Sequence, residues 1–518
     1  MTRFLSFLIL LSTAVAAVAG TLGQDLLLFG RPGWVYSGAT VDMNFATGQY
    51  YGLNPSQLSV SRASSDSEVC NGQLYTFGNN VAPITPCGLW AWESRTNTIR
   101  NSVASGAVVG TPGTAPTYWS GPGTYNGVTV NASALPVVGG MQCVVYAVSG
   151  TPSATFGFQL GFDSTTASTA TYGQTLTLSA YVSLSNTTNL AGGTGLVEYS
   201  ITSGGAGIAS HFVSFAASST LTLVQGALTV PETNAAYVYP NYQIGLTSGQ
   251  TVNLNVEFCQ PQLELNPNLP ATVASATVAS GGVCTPGTYT FTVAGGTGTA
   301  ATISGTVTGT TLGGTLTVVT PGSYSAASGL PASPATLTGG VCTTQPTVTL
   351  TPTNNAASAF ATGPILTSGT AATRAQNTIL SVLARPASSI FAKMTPQAPS
   401  GFPVADWALA YGGTNGLGLL TPASALTASY SAGGSTYSMG LGSFTQGTLG
   451  RFGVAYGSGA ENFAFNGSSA TGANSATVSG QTLYIGSNAS GASPCNCSMP
   501  RIAVFPNKLS TAALGALQ

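Results

Sequence analysis

Charge is what this chain has least of. Only 4% of its 518 residues are Asp, Glu, Lys or Arg, with 11 basic and 12 acidic residues giving a net charge of −1. No basic stripe is available to neutralise phosphates, which argues against a nucleic-acid partner. There is a single histidine, His211, and no CxxC pair, so a zinc site has neither its usual ligands nor their spacing. No GxSxG elbow accompanies His211 to build a serine hydrolase, and no GxxxxGK[ST] loop is present to hold a nucleotide. Beyond the N-terminus no apolar run is long enough to span a bilayer. Amphipathic helices are almost missing; the best candidate is TAALGALQ at 511–518, with Ser510 placed to cap it.

The composition points to a turn-rich β protein. Glycine contributes 67 residues and proline 29, yet 43% of residues are hydrophobic and Tyr and Phe number 20 each, too apolar for a disordered chain. Apolar and polar residues alternate. In QTLTLSAYVSL (174–184) one face carries Leu176, Leu178, Ala180, Val182 and Leu184; in TVNLNVEF (251–258) one face carries Val252, Leu254, Val256 and Phe258. Period two is the mark of half-buried strands, and Gly, Asn and Pro clusters between the runs supply turns.

The N-terminus, MTRFLSFLILLSTAVAAVAG, has a basic Arg3, an apolar run and an Ala17-Val18-Ala19 site. This pattern predicts a signal peptide over 1–19, cleaved after Ala19, and an exported protein with no membrane anchor after cleavage. Eight cysteines in such a chain favour disulfides. Pairing by region gives Cys70–Cys87, Cys143–Cys259, Cys284–Cys342 and Cys495–Cys497, the last closing a very tight loop; eight cysteines allow 105 connectivities in all.

Four regions follow the export segment. Residues 20–105 hold much of the charge, 106–272 read as a β-sandwich, 273–357 contain no charged residue, and 358–518 return to a mixed composition. The third region echoes itself: ATVASGGVCTPGTYTFTV (276–293) and ATLTGGVCTTQPTVTL (335–350) each place GGVC before a Thr-alternating strand. The expected fold is therefore all-β, with tandem sandwich or jelly-roll domains and a small inserted Gly/Thr-rich module.

Charge gathers at GLWAWESRTNTIR (88–100), which also holds Trp90 and Trp92. Glu93 and Arg95, two residues apart on a strand, share a face and can pair. They read as a structural clamp, since a glycosidase needs a second carboxylate. Glu257 and Glu264 bracket a strand but fall on opposite faces if it is regular.

VDMNFATGQ (41–49), SVSRASS (59–65) and GLWAWESRTNTI (88–99), in that order, resemble the N-terminal module of bacteriophage and prophage tail proteins. The matching residues are Asp42, Phe45, Gly48, Arg62, Ala63, Ser64, Glu93, Arg95, Thr96 and Asn97. CQPQLELNPNLPATV (259–273) resembles the strand that ends the jelly-roll module in those proteins. ATGPILTSGTAATRAQN (361–377) resembles the linker that follows it, with Asn377 where Asp is common. The uncharged region then reads as an insertion at that junction. TLYIGSN (482–488) and RIAVFPNKLSTAAL (501–514) resemble the end of a concanavalin A-like or laminin-G-like lectin sandwich.

The resemblance implies a non-enzymatic, fibre-like tail or appendage protein that self-assembles, with a trimer as one form, and binds a glycan or cell-surface polysaccharide. A secreted bacterial adhesin that reuses the scaffold is the alternative, favoured by the export signal and cysteines. In the lectin-like part, Trp407, Tyr411 and Tyr456, with Asp406, are the candidates to stack on and ring a sugar. No cofactor is expected; calcium would have to lean on Asp406, Glu461 and carbonyls.

Overall fold

The computed structural model describes residues 31–517, apart from 191–193, 215–217, 267–270, 325–329, 354–358, 384–386, 400–405, 413–415, 423–425, 433–434, 458 and 473–479. The expected signal segment lies outside the described residues. Strand accounts for 55% of the structure and helix for 2%, so the fold is all-β. The helix Thr511–Gly515 begins where Ser510 accepts a hydrogen bond from the Ala513 N–H. No helix among the described residues is long and apolar enough to cross a membrane.

The middle of the chain is a two-sheet sandwich. One sheet runs, in spatial order, Thr222–Thr229, Thr175–Thr188, Val252–Leu265, Met141–Gly150, Val128–Ala134 and Gly123–Tyr125. The other runs Phe156–Gly161, Ala235–Leu246, Gly195–Thr202 and Gly207–Ser214. The alternating residues of 176–184 and 252–258 are all buried in the shared core, with Phe162, Tyr146 and Tyr242 around Phe258. The Cys143–Cys259 disulfide joins two directly opposed residues that are fully buried in a separate small cluster with Met141, Val69 and Leu74.

The uncharged region forms a six-stranded antiparallel sheet in the order Val273–Ser280, Thr347–Pro352, Ala335–Thr338, Gly287–Val293, Thr302–Thr308 and Thr311–Thr320. The two GGVC repeats exchange strands. The leading strand of the first copy pairs with the trailing strand of the second, and the trailing strand of the first pairs with the leading strand of the second. Cys284 and Cys342 meet between them as a disulfide. The core is small: Phe291, Val293, Ile303, Leu337 and Leu350 are its larger members.

The C-terminal part is a second two-sheet sandwich, and it is completed by strands from the start of the chain. Its first sheet runs Gln49–Tyr51, Val41–Asn44, Cys497–Phe505, Ser389–Pro396, Gly450–Ala455, Asn462–Phe465 and Ser468–Thr471, with Gly88–Ala91 also paired to Cys497–Phe505. Its second runs Ser59–Ser61, Thr378–Val382, Thr482–Ile485, Asp406–Tyr411, Leu417–Thr421, Ser429–Ala432 and Ser435–Tyr437. Val41, Met43, Phe45, Leu53, Leu58, Leu89 and Ala91 enter the same core as Ile390, Phe452, Ile485 and Ile502. The first hundred residues are thus woven into the last; a single hairpin, Asp66–Cys70 with Gln73–Phe77, pairs only with itself. Arg95–Asn97 then bridges outward, pairing with Ala372–Arg374 and touching Val252–Leu265 of the middle sandwich.

Candidate functional site

Among the places where the described residues gather ionisable side chains, two stand out. The first is the junction between the sandwiches, where Gly88–Ala91 delivers Trp90 and Trp92, and Arg95–Asn97 follows at once. Glu93 and Arg95 are joined there: Arg95 Nε donates to Glu93 Oε1 at 2.6 Å, and both side chains are buried. The Arg95 guanidinium also donates to Asn266 Oδ1 at 2.5 Å, lies 3.7 Å from Glu264, and sits 5.0 Å over the Phe360 ring. Arg374 lies 5.2 Å over Trp92, donates to the Gly363 carbonyl at 3.0 Å and approaches Asp66 at 3.7 Å. Arg62 completes the set, 3.3 Å from Asp66 and donating to Asn377 Oδ1 at 3.1 Å. The indoles stack, and Trp92 Nε1 donates to Glu68 at 2.6 Å.

Five carboxyls (Asp66, Glu68, Glu93, Glu264 and Asp406) and three guanidiniums (Arg62, Arg95 and Arg374) are therefore buried together. Burial pushes Glu68 well above the usual carboxylate range, and its neighbour Asp66 adds to the effect. Burial does the same to Asp406, with Glu93 adding to it. Burial also raises Glu264, against the pull of Arg95 and Arg374, so the guanidiniums are what favour the charged form of the carboxyls beside them. All eight side chains are buried, and their bonds join segments from distant parts of the chain. The Arg100 guanidinium extends the network, with Nε 3.0 Å from Asp163 of the middle sandwich. At the far end, Arg501 Nε donates to Asp42 at 2.9 Å.

The residues expected to ring a sugar do not form a surface. Asp406, Tyr411 and Tyr456 are at most 2% exposed. Tyr411 is committed to the core, its hydroxyl oxygen accepting from the Ala387 N–H at 2.9 Å. A ring packed in this way cannot stack on a sugar face. Trp407 alone is half-buried, lying across Gly418 of the adjacent strand, where an added Cβ would meet its ring at 2.3 Å. Asp406 sits against Glu93, whereas Glu461 bonds the Tyr430 hydroxyl, so the two carboxyls are engaged by different neighbours and do not converge on a calcium site. Glu257 stands near Cys143 and Cys259, but those sulfurs form a disulfide and offer no thiolate to a metal.

The second concentration lies in the middle sandwich. His211 Nε2 is 2.8 Å from Glu232 Oε1, and Ser200 Oγ donates to Glu232 Oε2 at 2.7 Å. The carboxylate occupies the centre of this trio, so the imidazole bonds Glu232 and not the serine, unlike the Ser-His-Asp order of a hydrolase triad. Sequence reasoning singled out His211 and passed over Glu232, 21 residues away. No spacing rule links them; only the return of the chain after Thr222–Thr229 brings them together. Beside the trio, a cleft of about 350 Å³ opens between the two sheets, lined by Leu178, Leu196, Glu198, His211, Val213 and Leu228.

No protein-family model matches the chain, and no curated protein matches it. Among solved structures it is similar to the N-terminal CBM22-1–CBM22-2 tandem domain of Xyn10C from Paenibacillus barcinonensis, with 10% identity, 78% of this chain and 97% of that chain covered, and a TM-score of 0.22. It is also similar to the tail fibre protein gp63.1 of an E. coli phage, with 10% identity, 78% of this chain and 40% of that chain covered, and a TM-score of 0.17. Neither superimposes closely enough to carry a residue role across.

Proposed function

We propose that this is a structural, non-catalytic protein of the phage-tail or appendage kind, in which a rigid β scaffold presents a glycan- or surface-binding domain. The observation that supports this most is where the tail-like motif residues stand. Asp42, Arg62, Glu93, Arg95, Asn97, Glu264, Arg374, Asn377 and Arg501 are scattered over the chain, yet they bond one another or one another's strands. Asn97, for example, donates to the Ile365 carbonyl at 3.0 Å and accepts from the Leu263 N–H at 3.1 Å. Residues used in this way make architecture, not chemistry. In this reading the C-terminal sandwich is lectin-like, Trp407 is the ring available for stacking, and binding gains strength when chains assemble, a trimer being the form that suits a fibre.

A second reading, a secreted adhesin on the same scaffold, is favoured by the four disulfides, which persist in oxidising surroundings. Immunogold labelling of the producing culture after prophage induction separates the two. Label on tails or filaments is the expected result; label confined to the cell envelope and medium overturns the virion reading in favour of the adhesin.

A further inference from the structure

The cleft in the middle sandwich goes beyond the scaffold reading and does not depend on it. It lies between the edge strand Gly207–Ser214 of one sheet and the edge strand Thr222–Thr229 of the other. The two edges approach closely at Gly226, where a Cβ would come 2.5 Å from a Val213 methyl, and the cleft opens beside it. Its walls are mixed, with Leu178, Leu196, Val213 and Leu228 aliphatic and Glu198, Ser210 and His211 polar. Its one deeply buried polar side chain is Glu198, 4% exposed, directly opposite His211 across the strand pair. Glu198 Oε1 accepts from the Leu178 N–H of the facing sheet at 3.1 Å, while Oε2 has no partner. A buried carboxyl oxygen without a partner is unfavourable, more so if charged. Neither Lys nor Arg lines the cleft, and the imidazole beside it is held by Glu232.

We propose that this cleft binds a small organic cation, an apolar body bearing one primary ammonium group, with Glu198 Oε2 as its counter-ion. The volume is at the lower end of ligand sites and suits a group of a few carbons. The aliphatic side chains take the apolar body, and the ammonium donates to the open oxygen. An organic anion would find neither Lys nor Arg in the lining and would face the Glu198 carboxyl. An alcohol can fill the same space but makes only the weaker, neutral hydrogen bond. Burial pushes Glu198 well above the usual carboxylate range, against the pull of the Leu178 N–H. A seated ammonium favours the charged carboxylate, so its binding is linked to release of the Glu198 proton. The other titratable groups nearby are His211 and Glu232; on the facing strand, Tyr181 packs on the opposite side, near the Cys143–Cys259 bridge.

Calorimetric titration of the full-length protein near neutral pH with n-butylammonium, n-butanol and n-butyrate tests this. The expected order is butylammonium about tenfold tighter than butanol, with butyrate not binding. Repeating the titration in buffers of different ionisation heat should show proton release for the ammonium and none for the alcohol. Glu198→Gln should abolish both the preference and the proton release, while butanol still binds. Val213→Phe, at a half-buried position, fills the cleft and should block both ligands, which keeps the test decisive if the Glu198 variant does not fold. Equal affinity for ammonium and alcohol, no binding at millimolar concentration, or an ammonium preference that survives either variant would overturn the proposal.

Discussion

The inter-sandwich junction and the inserted module solve the same problem with opposite materials. The junction buries eight charged residues around two stacked tryptophans. The insert, 273–357, contains none. The junction must join strands that come from both ends of the chain. Directional, charge-assisted bonds suit that task because they reward only one arrangement. The insert is a local fold built of Thr, Gly and small apolar residues. Its core is too small to rely on hydrophobic burial alone, and a disulfide across its two repeats compensates by constraining the unfolded chain. Buried ion pairs are a weak source of stability, so the junction acts chiefly to specify how the parts meet.

The largest test of this contrast removes a cation from the junction. Arg95→Ala removes the buried guanidinium that Glu93 and Glu264 share and should destabilise the protein by about 3–5 kcal/mol in denaturant unfolding. A loss below about 1 kcal/mol, the range of exposed pairs, would mean that the junction is effectively solvated. Next in size, replacing Cys284 and Cys342 together by serine should cost the insert about 2–4 kcal/mol. Limited proteolysis should then cut within 273–357 first, while the sandwiches stay resistant.

The two regions should also differ in their response to pH. Glu68 and Asp406 bind protons more tightly folded than unfolded, because burial raises them in the native state. Their contribution is fully present below the unfolded carboxylate range and is lost as pH rises toward their folded values. The junction should therefore lose stability as pH rises above the unfolded carboxylate range, whereas the insert, with no acidic, basic or histidine side chain, should not. Thermal unfolding followed by hydrogen exchange resolves the two. The smallest effect belongs to the Thr ladders of the insert. Thr302 and Thr320 hydroxyls meet at 2.7 Å on an exposed face, and Thr302→Ala should cost about 0.2–1 kcal/mol.

What was legible in the sequence is what obeys local rules. Leu176 to Leu184 and Val252 to Phe258 alternate, and every one of those apolar residues is buried. Ser510 caps the helix it precedes. The repeated GGVC placed Cys284 opposite Cys342. What was not legible depends on partners far away in the chain. Nothing near Val41–Asn44 announces that it pairs with Cys497–Phe505. Asp406, Tyr411 and Tyr456 lie near polar turns and read as surface, but the strand Asp406–Tyr411 is buried at every position except Trp407, so alternation gives no warning. Gln260 has φ of 50°, a left-handed residue within Val252–Leu265, and this interrupts the regular alternation from which the faces of Glu257 and Glu264 were inferred.

Hydrogen exchange of Glu93→Ala against the unaltered protein tests the central claim most directly. If the charged junction joins the first hundred residues, the middle sandwich and the C-terminal sandwich into one unit, protection should fall together at Gly88–Asn97, Val252–Leu265, Ala372–Arg374 and Cys497–Phe505. Loss confined to the residues around position 93, with the other three segments unchanged, would contradict it.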